Sequence, residues 1–265
     1  MHSIAISPSY ENWRHDRWTM TLGETKMGLK LWARNHKHID EAAELIRSGV
    51  FDYLEIMPEA GYDTGVYPGD IKYVVHANKF INPADVSEAI HNRSMMRLSI
   101  RWADALGSDT IIVHPGYGSL EDSCRFVNSE EWEHDERIIV ENMPYVIDGQ
   151  INVPGNSPTD IKMYGRPICL DIGHMMSSSV SHRVGHKSFL ESYLALKPRM
   201  AHIMDGYSDY EDDQHLAIGE GDYDLKYIVS KLIEAKIRYA TLETPWNTPK
   251  DTAIQLDRLK SLLYN

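Results

Sequence analysis

Short apolar segments rich in β-branched and aromatic residues alternate along the chain with longer segments whose apolar residues return every three or four positions. The first kind is typical of buried strands, and the second of amphipathic helices that cover a sheet. This order is expected of parallel strands joined by crossover helices. Eight strands are predicted, at Gly28–Ala33, Tyr53–Met57, Tyr73–Ala77, Thr110–Pro115, Arg137–Asn142, Ile168–Ile172, Ala201–Met204 and Tyr239–Thr244.

The helical segments carry their own boundary signals. Asn82 and Pro83 are predicted to cap and open the long helix that follows them, and Gly107 to end it. The segment Tyr145–Arg166 contains several helix-breaking residues and is predicted to be a long loop that includes one turn of helix. Helices are predicted at His38–Ser48, Ala84–Leu106, Lys187–Leu196, Leu225–Ala235 and Thr252–Leu263.

Eight strand and helix units are the number that closes a (β/α)8 TIM barrel, an α/β fold. Such barrels commonly form one domain of about 250 residues, and this chain has 265. We therefore predict a single-domain barrel over residues 27–265, preceded by an N-terminal extension over residues 1–26.

Ionisable residues stand at or near the end of six successive predicted strands. The C-terminal ends of parallel barrel strands meet at one rim, so these side chains should converge there. A buried cluster of carboxylates and imidazoles without a cation would suffer repulsion and desolvation, so a divalent-metal site is predicted. Three further ionisable residues, His174, Asp213 and His215, lie close to these strands in the sequence. The candidate ligands are therefore His76, His114, Glu141, Asp171, His174, His202, Asp213, His215 and Glu243.

The type and number of these residues limit which metal ions the site could hold and how many. Imidazole and carboxylate ligands suit zinc, manganese or iron, and the lack of thiolate ligands argues against a closed structural zinc site. Nine ligands exceed the needs of one ion, so two or three ions are expected. Glu55, near the end of the second strand, faces the same rim without a matching partner, and both substrate binding and a solvated rim position stay open for it.

Composition excludes some classes of partner. The formal net charge of −12 argues against a broad basic surface for nucleic acid, although bound metal ions would add local positive charge. Two cysteines are too few for a disulfide framework and fit a reducing compartment. Because no apolar run resembles a signal peptide or a membrane span, we expect a cytoplasmic protein without a membrane partner.

The segments that carry the candidate ligands also form a recognisable series. In order they are His76 through Ile81-Asn82, His114-Pro115-Gly116, Glu141-Asn142, Leu170-Asp171 with His174, His202 with Asp205, Asp213 with His215 before Gly219-Glu220-Gly221, and Leu242-Glu243-Thr244. This series spans about two-thirds of the chain, residues 70–245. It resembles endonuclease IV, or AP endonuclease family 2, within the xylose isomerase-like TIM barrel superfamily.

The resemblance implies a metal-dependent hydrolase with three Zn²⁺ ions, or Mn²⁺ or Fe²⁺, that cleaves a phosphodiester such as abasic DNA in DNA repair. It assigns catalysis to Glu141, which would hold two ions together, and to Glu243, which would assist proton transfer. The ligand groups that it implies are His76, His114 and Glu141 for one ion, Glu141, Asp171, His202 and Glu243 for a second, and His174, Asp213 and His215 for a third.

The positions at which that family grips DNA match less well. The loop over residues 57–63 is acidic where the family has a basic, glutamine-containing loop. Lys79 replaces an aromatic residue, and Gln214 replaces a basic one. The substrate is therefore expected to be a phosphodiester or a sugar phosphate, with DNA in doubt, and its candidate contacts are Asn78, Lys79, Asn142 and Trp246.

Two other functions stay open. A sugar isomerase or epimerase of the same superfamily resembles this chain in needing four ligands around one ion, with two glutamates moving protons on either face of a ketose. These four are Glu141, Asp171, His202 and Glu243. A barrel that binds a sugar or a phosphorylated ligand without turnover is the third alternative. The number of bound ions separates the enzymes, because one ion favours the isomerase and three favour the phosphodiesterase.

Overall fold

The computed structural model describes residues 22–245 and 248–264. Each barrel strand pairs in parallel with the next barrel strand along the chain, and the last pairs with the first to close the barrel. The predicted single-domain α/β barrel and its eight strands are thus confirmed. The barrel strands are β1 (Lys26–Trp32), β2 (Tyr53–Met57), β3 (Tyr73–His76), β4 (Ile111–Val113), β5 (Ile138–Glu141), β8 (Ile168–Asp171), β9 (Met200–Ile203) and β10 (Tyr239–Leu242), with a hairpin of β6 (Val146–Ile147) and β7 (Gln150–Ile151) between β5 and β8.

Helices cover the outside of the barrel. Within the described residues, none is long and apolar enough to cross a membrane. Residues 1–21 of the predicted N-terminal extension lie outside the described residues. The helices are α1 (Ile39–Arg47), α2 (Ala89–Leu106), α3 (Leu120–Val127), α4 (Pro158–Met163), α5 (Ile172–Ser181), α6 (His186–Leu194), α7 (Leu225–Glu234) and α8 (Pro249–Tyr264), with short 3-10 turns at Ala33–His38, Thr64–Val66 and Val86–Glu88.

The start of α2 differs from the prediction. The helix begins at Ala89 rather than at Ala84, after a 3-10 turn. Asn82 does not cap it, because its side-chain oxygen accepts a hydrogen bond of 2.6 Å from the backbone N–H of Tyr117. The side chain thus ties the loop after β3 to the loop after β4. At the other end Gly107 closes the helix as predicted, in the left-handed conformation with φ of 63°.

The predicted long loop before β8 contains more structure than expected. The β6–β7 hairpin turns at Asp148 and Gly149, which both have positive φ, 49° and 76°. This backbone favours Asp-Gly in a two-residue hairpin turn. Helix α4 follows, and its first turn is capped by the Ser157 side chain, which accepts a hydrogen bond from the backbone N–H of Asp160.

The inside of the barrel is built in layers, because side chains along a strand alternate between its interior and its exterior. Several strands carry an apolar residue inside the barrel and an ionisable residue two positions later, on the same face. Examples are Val74 and His76 on one strand, and Ile139 and Glu141 on another. The apolar layer therefore lies directly beneath the ionisable residues. It consists of Tyr53, Val74, Ile112, Ile139, Cys169, Met200 and Tyr239.

Strand β1 contributes no side chain to this apolar layer. A Cβ atom at Gly28 would lie 2.3 Å from the ring of Tyr53, which is fully buried. The glycine therefore makes room for the Tyr53 ring, whose hydroxyl lies 2.7 Å from the Thr241 hydroxyl across the barrel. Two residues further along β1, the interior position is held by Lys30.

Candidate metal centre

The first group of predicted ligands forms around one oxygen of Glu141. Its Oε2 lies 3.1 Å from Nε2 of His76 and 3.3 Å from Nε2 of His114. The His76 Nδ1–H donates a hydrogen bond of 2.8 Å to the carbonyl oxygen of Ala77, so Nε2 is the ring nitrogen that faces Glu141. Burial lowers the pKa of His114, although Glu141 opposes the shift, so this ring is neutral as a ligand must be.

The second group surrounds Nδ1 of His202. This nitrogen lies 2.8 Å from Oε2 of Glu243, 3.3 Å from Oε1 of Glu141 and 3.5 Å from Oδ2 of Asp171. Glu141 therefore contributes one oxygen to each of the first two groups, as a carboxylate that bridges two ions would. Although burial opposes it, the imidazoles of His202 and His114 hold the pKa of Glu141 well below its usual range, so the carboxylate is charged.

The third group forms around Asp213. Its Oδ2 lies 3.5 Å from Nε2 of His174 and also contacts Nε2 of His215. Both rings donate Nδ1–H to a backbone carbonyl, His174 to Asn142 at 2.7 Å and His215 to Glu243 at 2.9 Å. These outer hydrogen bonds turn the Nε2 atoms toward a common point, the usual arrangement of histidine ligands.

Two local features bring Asp213 into the site. A Cβ atom at Gly173 would lie 2.5 Å from Oδ1 of Asp213, so only glycine lets the carboxylate approach the start of α5. The loop that carries Asp213 is held at its base by Asp205, whose carboxylate accepts hydrogen bonds from the backbone N–H groups of Gly206 at 2.9 Å and Gly219 at 2.8 Å. Asp205 therefore supports the third group from below.

The buried carboxylates of the centre need positive charge close to them. Oδ2 of Asp171 and Oδ1 of Asp213 are buried and accept no hydrogen bond from the described residues. Burial alone would lower the pKa of the neighbouring histidines, but these carboxylates raise it to about 10 for His174 and, chiefly through Asp213, to about 9 for His215. Protons on the rings thus supply positive charge in the absence of an ion. A divalent cation would satisfy the same oxygens, so the donor set fits a metal.

Besides two groups that include Glu55 or Cys169, the described residues form three groups that together contain all nine predicted ligands and no other residue. Within each group the ligand atoms lie within 4.8 Å of one another. The groups are His76, His114 and Glu141; Glu141, Asp171, His202 and Glu243; and His174, Asp213 and His215.

Two predicted substrate contacts have structural partners. The Asn142 amide donates to the carbonyl of Asp171 at 3.0 Å, and its oxygen accepts from the Asp171 N–H at 2.7 Å. The Asn78 amide donates to the carbonyl of Pro58 at 3.0 Å, and its oxygen accepts from the N–H of Phe80 at 2.9 Å. These bonds use one N–H and one oxygen lone pair of each amide, so contact with a substrate stays a prediction for both residues.

The other two predicted contacts stand differently. Lys79 is exposed, and its ammonium lies 5.2 Å from the ring centroid of Trp32 at the end of β1, so it stays a candidate for contact with substrate. Trp246 lies outside the described residues.

Sequence reasoning missed two residues beneath the centre. Glu55 is fully buried, and its Oε2 accepts hydrogen bonds from Nε2 of His202 at 3.1 Å and from the Thr241 hydroxyl at 2.6 Å. Of the two alternatives left open for Glu55, the solvated rim position is therefore wrong. Lys30 lies on β1 with its ammonium 2.5 Å from Oε1 of Glu243. The same strand begins with another lysine, the exposed Lys26, so a lysine in this strand did not by itself mark Lys30 as part of the centre.

Comparisons with known proteins agree with this architecture. The chain is 26% identical over 253 residues to the uncharacterized protein MJ1311 of Methanocaldococcus jannaschii, with 83% of each chain covered. Among solved structures, a D-tagatose 3-epimerase-like protein superposes with a TM-score of 0.70 at 24% identity, covering 90% of this chain and 97% of the other. Endonuclease IV from Thermus thermophilus superposes with a TM-score of 0.65 at 19% identity, covering 90% and 98%.

At these identities the two solved structures show a shared fold and leave the reaction open. The decisive comparison is with the family model described as xylose isomerase-like TIM barrel, which matches residues 67–262, most of the chain. The matched region includes every predicted metal ligand. The chain belongs to the xylose isomerase-like TIM barrel family.

Proposed function

We propose that the protein is a metal-dependent phosphodiesterase with a centre of three divalent ions, zinc or manganese. The observation that carries this proposal is the third ligand group, in which His174 and His215 present Nε2 to one carboxylate of Asp213. An isomerase or epimerase that works with one ion does not need this group. Its position beside the other two groups suits an extended site for a charged substrate.

The charge of the centre supports the same reaction. Five buried or nearly buried carboxylates face one another here, and the lysine beneath them offsets one of their charges. One divalent ion would leave the site negative, whereas three would make it positive and suited to a phosphodiester anion. Bound ions would supply the charge that activates water and neutralises the phosphoryl oxygens. The carboxylates are those of Glu55, Glu141, Asp171, Asp213 and Glu243.

The ligand carboxylates differ in their access to a substrate. The side chain of Glu141 is 1% exposed, and its two oxygens face the first two groups, so its role is to hold those groups together. The side chain of Glu243 is 20% exposed, so it is more accessible than that of Glu141. Glu243 is therefore the carboxylate placed to accept or donate a proton near the substrate.

A second candidate function has its own observation. The second group alone, centred on Nδ1 of His202, offers one nitrogen and three carboxylates, enough for one ion. This is the set that a sugar isomerase or epimerase would use, with Glu141 and Glu243 moving protons. The fold likeness to a D-tagatose 3-epimerase-like protein is compatible with it.

One assay separates the two candidates. The protein, loaded with zinc or manganese, is given bis(p-nitrophenyl) phosphate, a duplex with one abasic site, and D-tagatose or D-fructose. We expect cleavage of a phosphodiester that chelation with EDTA abolishes. Cleavage of bis(p-nitrophenyl) phosphate without cleavage of the duplex would indicate a phosphodiester substrate other than DNA. Epimerisation of the ketose without any phosphodiester cleavage would overturn the proposal.

A further inference from the structure

A closed ring of four charged side chains lies at the base of the second ligand group. Nε2 of His202 lies 3.1 Å from Oε2 of Glu55, and Oε1 of Glu55 lies 3.4 Å from Nζ of Lys30. The ammonium lies 2.5 Å from Oε1 of Glu243, whose Oε2 returns to Nδ1 of His202 at 2.8 Å. Two members of this ring, His202 and Glu243, belong to the second ligand group; Lys30 and Glu55 do not, although Glu55 also lies close to His76 and His202.

The barrel itself places these residues together. Lys30 and Glu55 are directly paired residues on the neighbouring strands β1 and β2. Thr241, which donates a hydrogen bond to Glu55, is paired with His202 across β10 and β9. Because strand register is fixed along the whole sheet, the Lys30–Glu55 pair cannot shift without moving the strands.

The ring determines which atoms of the two ligands are free. The Glu55 carboxylate occupies one nitrogen of the His202 ring, so Nδ1 is the atom that faces the ion site. Likewise Lys30 occupies one oxygen of Glu243, so the other oxygen faces the same site. Outer groups that hold metal ligands in this way fix their orientation and strengthen binding.

We propose that Lys30 and Glu55 are positioning residues for the second ion, coupled to each other through their ion pair. Glu55 holds the His202 ring, and Lys30 holds Glu243 while also neutralising Glu55. The inference rests on the metal centre of the proposed function, but it does not depend on which reaction that centre catalyses. It predicts that the pair acts on one ion of the three rather than on the whole centre.

Burial explains why the two residues need each other. The side chain of Lys30 is 8% exposed and that of Glu55 is fully buried. Removing the lysine would leave Glu55 Oε1, which already has no hydrogen-bond partner in the described residues, without its nearby cation. An isolated buried charge is strongly unfavourable, so the loss of either partner should disturb the ligand held by the other.

Zinc titration against a chromophoric chelator tests the proposal. The variants are Lys30→Met and Glu55→Gln, which keep the approximate shape of each side chain, together with the double variant. Lys26→Met is the matched control, because Lys26 lies on the same strand with its side chain 53% exposed and pairs with Asp52 outside the site. Each single site variant should bind one ion about 10- to 100-fold more weakly, the usual effect of removing an outer partner of a metal ligand, and bind the others as the wild type does.

The double variant supplies the second readout. If the pair acts as one unit, the zinc affinity of the double variant for the affected ion should be no lower than that of the single variant with the lower affinity. If the two residues act independently, the losses of binding free energy in the single variants should add up in the double variant. Circular dichroism and thermal unfolding establish that each variant is folded, and Glu55→Gln alone suffices if Lys30→Met does not fold. Unchanged zinc affinity in the folded single variants, equal weakening of all ions, or additive losses would overturn the inference. Failure of the wild type to bind zinc would instead refute the metal centre of the proposed function.

Discussion

Nε2 of His174 lies 3.5 Å from Oδ2 of Asp213, although one residue stands in the first turn of α5 and the other in the loop after β9. The contact exists because Gly173 leaves room for the carboxylate and because the Asn142 carbonyl accepts the Nδ1–H of the ring. Two independent constraints thus aim the same pair of side chains at one point. The fold alone therefore brings the third group of candidate ligands together.

The first prediction removes this group. His174→Ala should lower the metal content by one ion per chain and lower phosphodiesterase turnover by more than about 100-fold, the scale of losing one preorganised electrostatic group. His134→Ala, at a site 93% exposed, is the control and should change neither quantity. Normal phosphodiesterase turnover in the His174 variant would defeat the assignment of the third ion.

The second prediction concerns the bridging carboxylate. Glu141→Gln keeps the shape of the side chain but removes the charge that faces His76, His114 and His202. Metal content should fall and activity should be lost, whether the enzyme is a phosphodiesterase or an isomerase. Elemental analysis and the activity assays measure both effects on a variant shown to be folded by circular dichroism. A variant with full metal content and normal turnover would contradict the bridging role.

The third prediction follows from the raised pKa values of His174 and His215 in the protein without ions, about 10 and about 9. Because folding raises these pKa values, the charged rings stabilise the metal-free folded protein, and this stabilisation is complete below the ordinary histidine pKa of 6.5. It is lost as the pH rises toward 9 to 10, where the rings lose their protons in the folded protein. Zinc needs the neutral rings, so its affinity at the third group should rise over the same window and binding should release protons.

Two measurements check this pH dependence. Thermal unfolding of EDTA-treated protein should show stability falling between pH 7 and 9, and the stability gained from added zinc should grow over the same range. Calorimetric titration in buffers of different ionisation enthalpy counts the protons released. Zinc affinity at the third group that is independent of pH from 7 to 9 would be the contrary result.

The fourth prediction tests the packing of the apolar layer that lies beneath the candidate metal centre. Gly28→Ala places a Cβ atom 2.3 Å from the buried ring of Tyr53. Overpacking of this kind should lower the free energy of unfolding by about 1–3 kcal/mol, as measured by urea denaturation. Gly69→Ala, where no described atom lies within 4 Å of the new Cβ, should change it by less than about 0.5 kcal/mol. Equal stability of the two variants would show that Tyr53 has room to move.

Much of the fold, and the convergence of the candidate ligands at one rim, could be predicted because both depend on local sequence. An apolar run of β-branched residues predicts a strand, and the alternation of side chains then puts His76 two positions after Val74, inside the barrel at the ligand rim. The closure of the parallel barrel brings the strand ends together without further information. Neighbouring residues along the chain were enough for these conclusions.

The rest depends on contacts between distant residues. Helix α5 was not predicted, because its polar residues are buried together with its apolar ones, so its sequence lacks the apolar and polar faces of a surface helix. The cap expected of Asn82 failed because Tyr117, far along the chain, takes its side chain. Lys30 and Glu55 gain their proposed role only from the pairing of β1 with β2 and from contacts with residues of distant strands, which no local pattern reveals.

The most direct test of the central claim is the number of metal ions per chain in protein purified without chelators or added metal, by elemental analysis. The three ligand groups predict close to three ions, in zinc or manganese. A value near one that persists after loading with zinc and manganese would contradict the trinuclear centre and leave only the single-ion group around His202.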